Sequence, residues 1–205
     1  MPILKTSRPS FATLCAAWCA LVAISVVGRL WQPIPNVTPL AGAAIVSGAV
    51  FPSALVAASV PVAALVLSNL VLPGYGGGMA GWAMLALVCA CLTWPVLLGR
   101  LVRGGRSWSA GASVGGLPTG TLVGSGLASS LVFFLVTNAA HWWLSTDYPH
   151  TAAGLLACYA AGLPFYRWMP VGDVVWTLVL ARGMAALGAS AAAAPSISAN
   201  PVQAA

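Results

Sequence analysis

Between Leu131 and Asp173 an otherwise apolar stretch keeps Asn138, His141, Asp147, Tyr148, His150, Tyr159 and Asp173. Amides, phenols and imidazoles in such surroundings suit the holding of a ligand by hydrogen bonds and stacking. They do not suit acid–base catalysis, because the chain has two acidic residues and a paired-carboxylate mechanism needs Asp147 and Asp173 in one cleft. No Ser, His and acid set stands in a nucleophile context, and no phosphate-binding loop occurs. The chain does not read as an enzyme. With two histidines, His141 and His150, hydrogen bonding at an interface is a better reading than a metal or haem site, and no cofactor is expected.

Helical spacing groups some of these side chains. Asn138, His141 and Trp142 stand three and four residues apart, so they share one helix face, continued by Phe134 and Ser130. An amide in lipid costs free energy unless it is paired, so Asn69 and Asn138 must face the interior of a bundle. Two roles compete there. The amides and aromatics form a pocket wall, or the amides join helices while Trp142 and Trp143 belong to the interfacial aromatic belt. Asn36, Thr38, Ser68, Asn69 and Asn138 converge on one end of the molecule, which favours the pocket. Asp173 opens the last apolar segment, where a helix dipole stabilises a carboxylate, so capping and ligand binding are both open for it. Arg182, nine residues later at about 100° per residue, lies on the opposite face and cannot pair with it within the helix.

Composition says what carries these residues. Sixty per cent of the chain is hydrophobic and five per cent charged, too little charge to cover a water-soluble domain. Several apolar runs reach the length of about 17 to 25 residues that crosses a bilayer. The runs are Phe11 to Gly28, Leu40 to Phe51, Ala54 to Leu72, Ala80 to Leu98, Leu117 to Leu144, Ala152 to Pro164 and Val171 to Gly188, with Pro and Gly at most breaks. The net charge of +6 does not indicate nucleic acid, because Lys5, Arg8, Arg29, Arg100, Arg103, Arg106, Arg167 and Arg182 lie nearly all at the ends of apolar runs. They read as topology signals. The positive-inside rule puts the N-terminus and the Gly99–Gly116 loop in the cytoplasm, and Ser145 to His150 outside. The sixth run, about 13 residues or roughly 20 Å of helix, is too short to span and is expected to insert partly from the outer side. The first run ends without a small-x-small cleavage site and is expected to remain as a helix.

The five cysteines, Cys15, Cys19, Cys89, Cys91 and Cys158, fall inside apolar runs without metal-ligand spacing and read as small filler. Two small-residue ladders permit close helix approach. Ala12, Ala16 and Ala20 line one face of the first helix, against either a partner or the bundle. Gly120, Gly124 and Ala128 line a face of the fifth, read as internal packing.

The segments Pro35-Asn36-Val37-Thr38-Pro39, Phe133 to Asn138, Tyr148 to Leu155, Cys158-Tyr159, Pro164-Phe165 and Gly172-Asp173 run in order between Arg29 and Arg182. Through them the chain resembles a family of uncharacterised bacterial integral membrane proteins. That family is similar to the six-helix substrate-binding S components of energy-coupling factor transporters. The resemblance implies a lid loop with Asn36 and Thr38, a pocket wall with Asn138 and Trp142, and an outer closure with Tyr159, Phe165 and Asp173. It also implies a coupling subunit against the Ala12, Ala16, Ala20 face. Where the family usually has Ser-Asp in the third helix this chain has Ser68-Asn69, which weakens a cation or proton role there and leaves hydrogen bonding to a neutral ligand.

The expectation is an all-α integral membrane protein of the inner (plasma) membrane, with a cytoplasmic N-terminus. About six transmembrane helices and a short partly inserted helix form one S-component-like bundle over residues 1–188, followed by a disordered Ala/Ser/Pro tail over 189–205. The expected function is a substrate-binding or transport subunit that captures a small, weakly charged solute from the extracytoplasmic side. Its ligand residues are expected among Asn36, Thr38, Ser68, Asn69, Asn138, His141, Trp142, Tyr148, Tyr159, Phe165 and Asp173. With no nucleotide-binding motif, uphill transport needs coupling and ATPase subunits. The alternative is a structural or assembly subunit, or an intramembrane enzyme on a lipid-like substrate.

Overall fold

A computed structural model describes residues 9–72, 78–104 and 117–193. Lys5, Arg8, Arg106, residues 73–77 and the residues beyond Ala193 lie outside the described residues. The helices are α1 (Phe11–Leu30), α2 (Leu40–Val50), α3 (Ala54–Asn69), α4 (Gly78–Thr93), α5 (Pro95–Arg103), α6 (Thr119–Leu144), α7 (Ala152–Tyr166) and α8 (Met169–Ala193). Ser10, Ser53 and Thr151 cap α1, α3 and α7, each side-chain oxygen accepting from the backbone N–H three residues on at 3.2, 3.4 and 3.1 Å. The fourth apolar run divides at Trp94, because Pro95 has no N–H with which to continue the helical ladder.

Among the described residues four helical stretches are long and apolar enough to cross a membrane: α1, Gly78–Arg103 through the break, α6, and Met169–Leu187 of α8. By length and composition they point to a membrane protein. Of the segments expected to span, α2 and α3 have 11 and 16 residues and fall below this length. As helices these are roughly 17 and 24 Å long, against a hydrocarbon core of about 30 Å. α7 is also short, at 15 residues. α8 starts before Val171 and continues to Ala193, past the boundary expected for the tail.

The short α2 is the centre of the bundle, with every residue from Leu40 to Val50 buried. Its sequence of small and aliphatic side chains has no polar face to turn outward, and small residues let neighbouring backbones close on it. A Cβ at Gly42 would lie 2.7 Å from the Thr177 nitrogen of α8; one at Gly48 would strike the Val96 carbonyl of α5, and one at Gly99 the Ile45 carbonyl. In α3, Pro61 leaves the Ala57 carbonyl without its usual helical donor. The hydroxyl of Ser47, fully buried on α2, lies 2.9 Å from that carbonyl and supplies the bond.

Arginines fasten the far end of α2. Arg100 and Arg103 donate to the Pro52 and Phe51 carbonyls at 3.1 and 3.3 Å, satisfying acceptors at the α2–α3 reversal. Arg182 donates to Thr119 Oγ1 at 2.7 Å, joining α8 to the start of α6. The ladder on α6 corrects an expectation: Gly120 and Gly124 face open space, and α6 instead approaches α8 through Gly126, where a Cβ would meet Val174 Cα at 3.0 Å. On α1, Ala12 and Ala16 are exposed and Ala20 is half-buried.

Candidate functional site

Where α1 ends, the helices diverge around a cavity of about 210 Å³. Its polar lining is Arg29, Gln32, Asn36, Thr38, Ser129 and Asp173; its apolar lining includes Leu65, Val88, Leu92 and Phe133. These residues come from α1, the 31–39 loop, α3, α4, α6 and α8, and Leu40 and Ala41 add the first turn of α2.

Arg29 is oriented by α3. Its Nη1 donates to Ser68 Oγ and, at 2.7 Å, to Asn69 Oδ1. Both acceptors are neutral, so they direct the guanidinium without cancelling its charge. Asp173 is 5% exposed, and among the described residues its carboxyl has no hydrogen-bond or ion-pair partner. Only its backbone is engaged, the carbonyl accepting from Thr177 Oγ1 at 2.6 Å. Because α8 begins at Met169, Asp173 lies beyond the first turn, and the capping role open to it from sequence does not apply. Ser129 Oγ, also buried in this lining, has no partner. Buried polar groups are ordinarily satisfied, so the Ser129 hydroxyl and the Asp173 carboxyl are exceptions that share one cavity wall.

The 31–39 loop is tied across this cavity. Gln32 Nε2 donates to the Arg29 carbonyl at 2.8 Å, and the Asn36 N–H donates to Gln32 Oε1 at 3.2 Å. Asn36 takes a left-handed backbone at φ 64°, which asparagine tolerates better than most residues. Its Nδ2 donates to the Phe165 carbonyl at 3.0 Å, linking the loop to the end of α7. Gly172 lets α8 pass beneath the loop, since a Cβ there would sit 2.9 Å from Val37 Cα.

Of the residues singled out from sequence, Asn36, Thr38 and Asp173 line the cavity, and Ser68 and Asn69 hold Arg29. Asn138 and Trp142, expected as pocket wall, do not line this cavity: their face of α6 is turned to α7 and the loop that leads into it. Asn138 Nδ2 donates to the Phe134 carbonyl at 2.8 Å, and its Oδ1 lies 2.5 Å from where a Cβ on Gly162 would stand. Trp142 Nε1 donates to the Pro149 carbonyl at 2.9 Å, and Tyr159 donates to the Leu135 carbonyl at 2.8 Å. His141 Nε2 is 3.2 Å from Asp147 Oδ2, with Tyr148 edge-on to its ring. Phe165 contributes its carbonyl to the loop while its ring is exposed. The cavity takes the adjacent face of α6 instead, Ser129 and Phe133, about 100° round the helix from Phe134.

Sequence reasoning missed Arg29, Gln32, Ser129 and Phe133 as lining residues. For Arg29 a signal exists: by the positive-inside reading it is a cation on the wrong side, at the depth of Ser68 and Asn69. Ser129 sits in a run of small residues with nothing to distinguish it from its neighbours. Among the described residues no group of three or more His, Cys, Asp and Glu side chains is placed to hold a metal ion. No curated protein and no solved structure matches the chain. Residues 6–196 match DUF6580, a family of unknown function, and the chain belongs to that family.

Proposed function

We propose that this protein is a membrane-embedded substrate-binding subunit that captures a small solute from the extracytoplasmic side. The observation that carries this reading is the cavity lined by the buried Ser129 hydroxyl and by the carboxyl of the buried residue Asp173, neither with a side-chain partner among the described residues. A buried polar group left unsatisfied costs about 1–3 kcal/mol, which a ligand can recover. The cavity volume of about 210 Å³ lies below the ~300–1,000 Å³ of pockets for drug-sized molecules, which suits a small occupant.

In this reading the Arg100 and Arg103 end faces the cytoplasm of a bacterial cell and the Arg29 end, with its tied loop, faces outward. α2 and α3 join the longer helices in a six-helix bundle like that of S components, and α7 lies at the outer side. The exposed Ala12 and Ala16 face of α1 meets a coupling subunit, which with ATPase subunits drives uptake.

The test is mass spectrometry of small molecules released from the detergent-purified chain, compared with Ser129→Leu, which fills the cavity. One compound retained by the native chain and lost from folded Ser129→Leu supports the proposal. Equal release from both overturns it, as does no release from either together with no small solute bound on titration.

A further inference from the structure

Arg29 and Asp173 place a chemical demand on whatever enters the cavity. They are the charged residue types in its lining, and no ion pair joins them. A guanidinium presents five N–H donors in a fixed fork, and the bonds to Ser68 and Asn69 both use Nη1. Donors therefore remain for an anionic group, and carboxylate geometry matches the fork. Asp173 offers acceptor oxygens at another wall, with Leu65, Val88, Leu92 and Phe133 among the apolar residues of the lining.

Simple ligands meet half of this demand. A plain anion satisfies Arg29 and leaves the Asp173 carboxyl without a partner. A plain cation does the reverse, and an apolar molecule leaves the Asp173 carboxyl buried and unpaired. Resting on the substrate-binding reading above, we propose that the cavity takes a small amphoteric solute: a carboxylate on Arg29, an ammonium or comparable donor on Asp173, and a short apolar body between them. Such a solute has little net charge, which suits a site inside an apolar bundle.

The spacing of the two groups on the ligand decides the fit, so the probes form a length series. The ω-amino acids from 3-aminopropanoate to 6-aminohexanoate are titrated into the full detergent-purified chain, each beside the carboxylic acid and the alkylamine of the same carbon number. One length is expected to bind about tenfold more tightly, or better, than its matched acid and amine. Arg29→Gln and Asp173→Asn each remove that advantage. Should Arg29→Gln not fold, Arg29→Lys keeps the charge and loses the fork; it weakens the amino acid and the acid alike and leaves the amine unchanged.

The proposal is overturned if no length exceeds its matched acid and amine, or if the advantage survives Asp173→Asn. The two readings fail separately. A neutral or singly charged compound retained by the native chain and lost from Ser129→Leu ends the amphoteric reading and leaves the cavity as a binding site. No retained compound and no bound probe ends both.

Discussion

Arg29 and Asp173 line one cavity yet do not pair: the guanidinium donates to Ser68 and Asn69 of α3, while the Asp173 carboxyl has no partner among the described residues. Arg29 thereby joins three parts of the structure at one point. Its side chain holds α1 to α3, and its carbonyl receives Gln32 from the loop. A residue at the end of an apolar helix thus ties the loop to the bundle.

Asn69→Ala removes an acceptor from a charged donor. A hydrogen bond of this kind is worth about 1.5–3 kcal/mol, so the melting temperature of the purified protein should fall. Arg29→Met in the Asn69→Ala background should cost less than Arg29→Met alone, because the two share one interaction. Additive losses would show that the bond contributes nothing.

Gly99→Ala should be among the most damaging conservative changes, since its Cβ would enter the Ile45 carbonyl at the α2–α5 contact. Overpacking of this kind costs about 1–3 kcal/mol or more, and here the obstacle is backbone that cannot rotate aside. Gly124→Ala meets nothing within 4 Å and should be neutral or stabilise α6 by up to about 1 kcal/mol. Thermal melting of the pair in detergent checks the contrast; equal effects would contradict the packing of α2.

Gly162→Ala should destabilise the α6–α7 contact through the Asn138 amide, 2.5 Å from the added carbon. In an Asn138→Ala background the same change should cost less, and the coupling should be about 0.5–3 kcal/mol. Ligand retention should be unaffected by Asn138→Ala. A loss of retention with stability intact would return Asn138 to the binding site.

Labelling in intact cells tests the proposed orientation. Thr146→Cys should react with an impermeant thiol reagent from outside, and Gly104→Cys only after permeabilisation, both positions being exposed. Labelling of Gly104→Cys from outside would invert the bundle and place the cavity at the cytoplasmic face.

The apolar runs are legible in the sequence to within a few residues, because Pro and Gly punctuate them and lipid-length composition is hard to mistake. Asn36, Thr38 and Asp173 are legible as residues turned to a cavity for a related reason: polar side chains in apolar surroundings are costly unless they face one another or an opening. Which face of α6 lines the cavity is not legible. Polar side chains are scattered round that helix and form no single face, so periodicity cannot choose between Ser129 with Phe133 and Phe134 with Asn138. Nor does local sequence join Arg29 to Ser68 and Asn69, which stand 39 and 40 residues away and meet only in the folded bundle. The burial of α2 is partly legible: its shortness is plain, but its central position follows from the glycines of α2 and α5 together.

Asp173→Leu tests the central claim most directly, because a binding residue and a structural residue respond in opposite ways. If the buried carboxyl is kept for a ligand, its replacement by an apolar side chain of similar size relieves an unsatisfied group. The ligand-free protein should then gain about 1–3 kcal/mol of stability while retention of the copurifying solute is lost. Melting temperature and released solute are measured on the same purified samples. Higher stability with retention abolished is the predicted result; lower stability with retention unchanged would contradict the assignment of this cavity as the binding site.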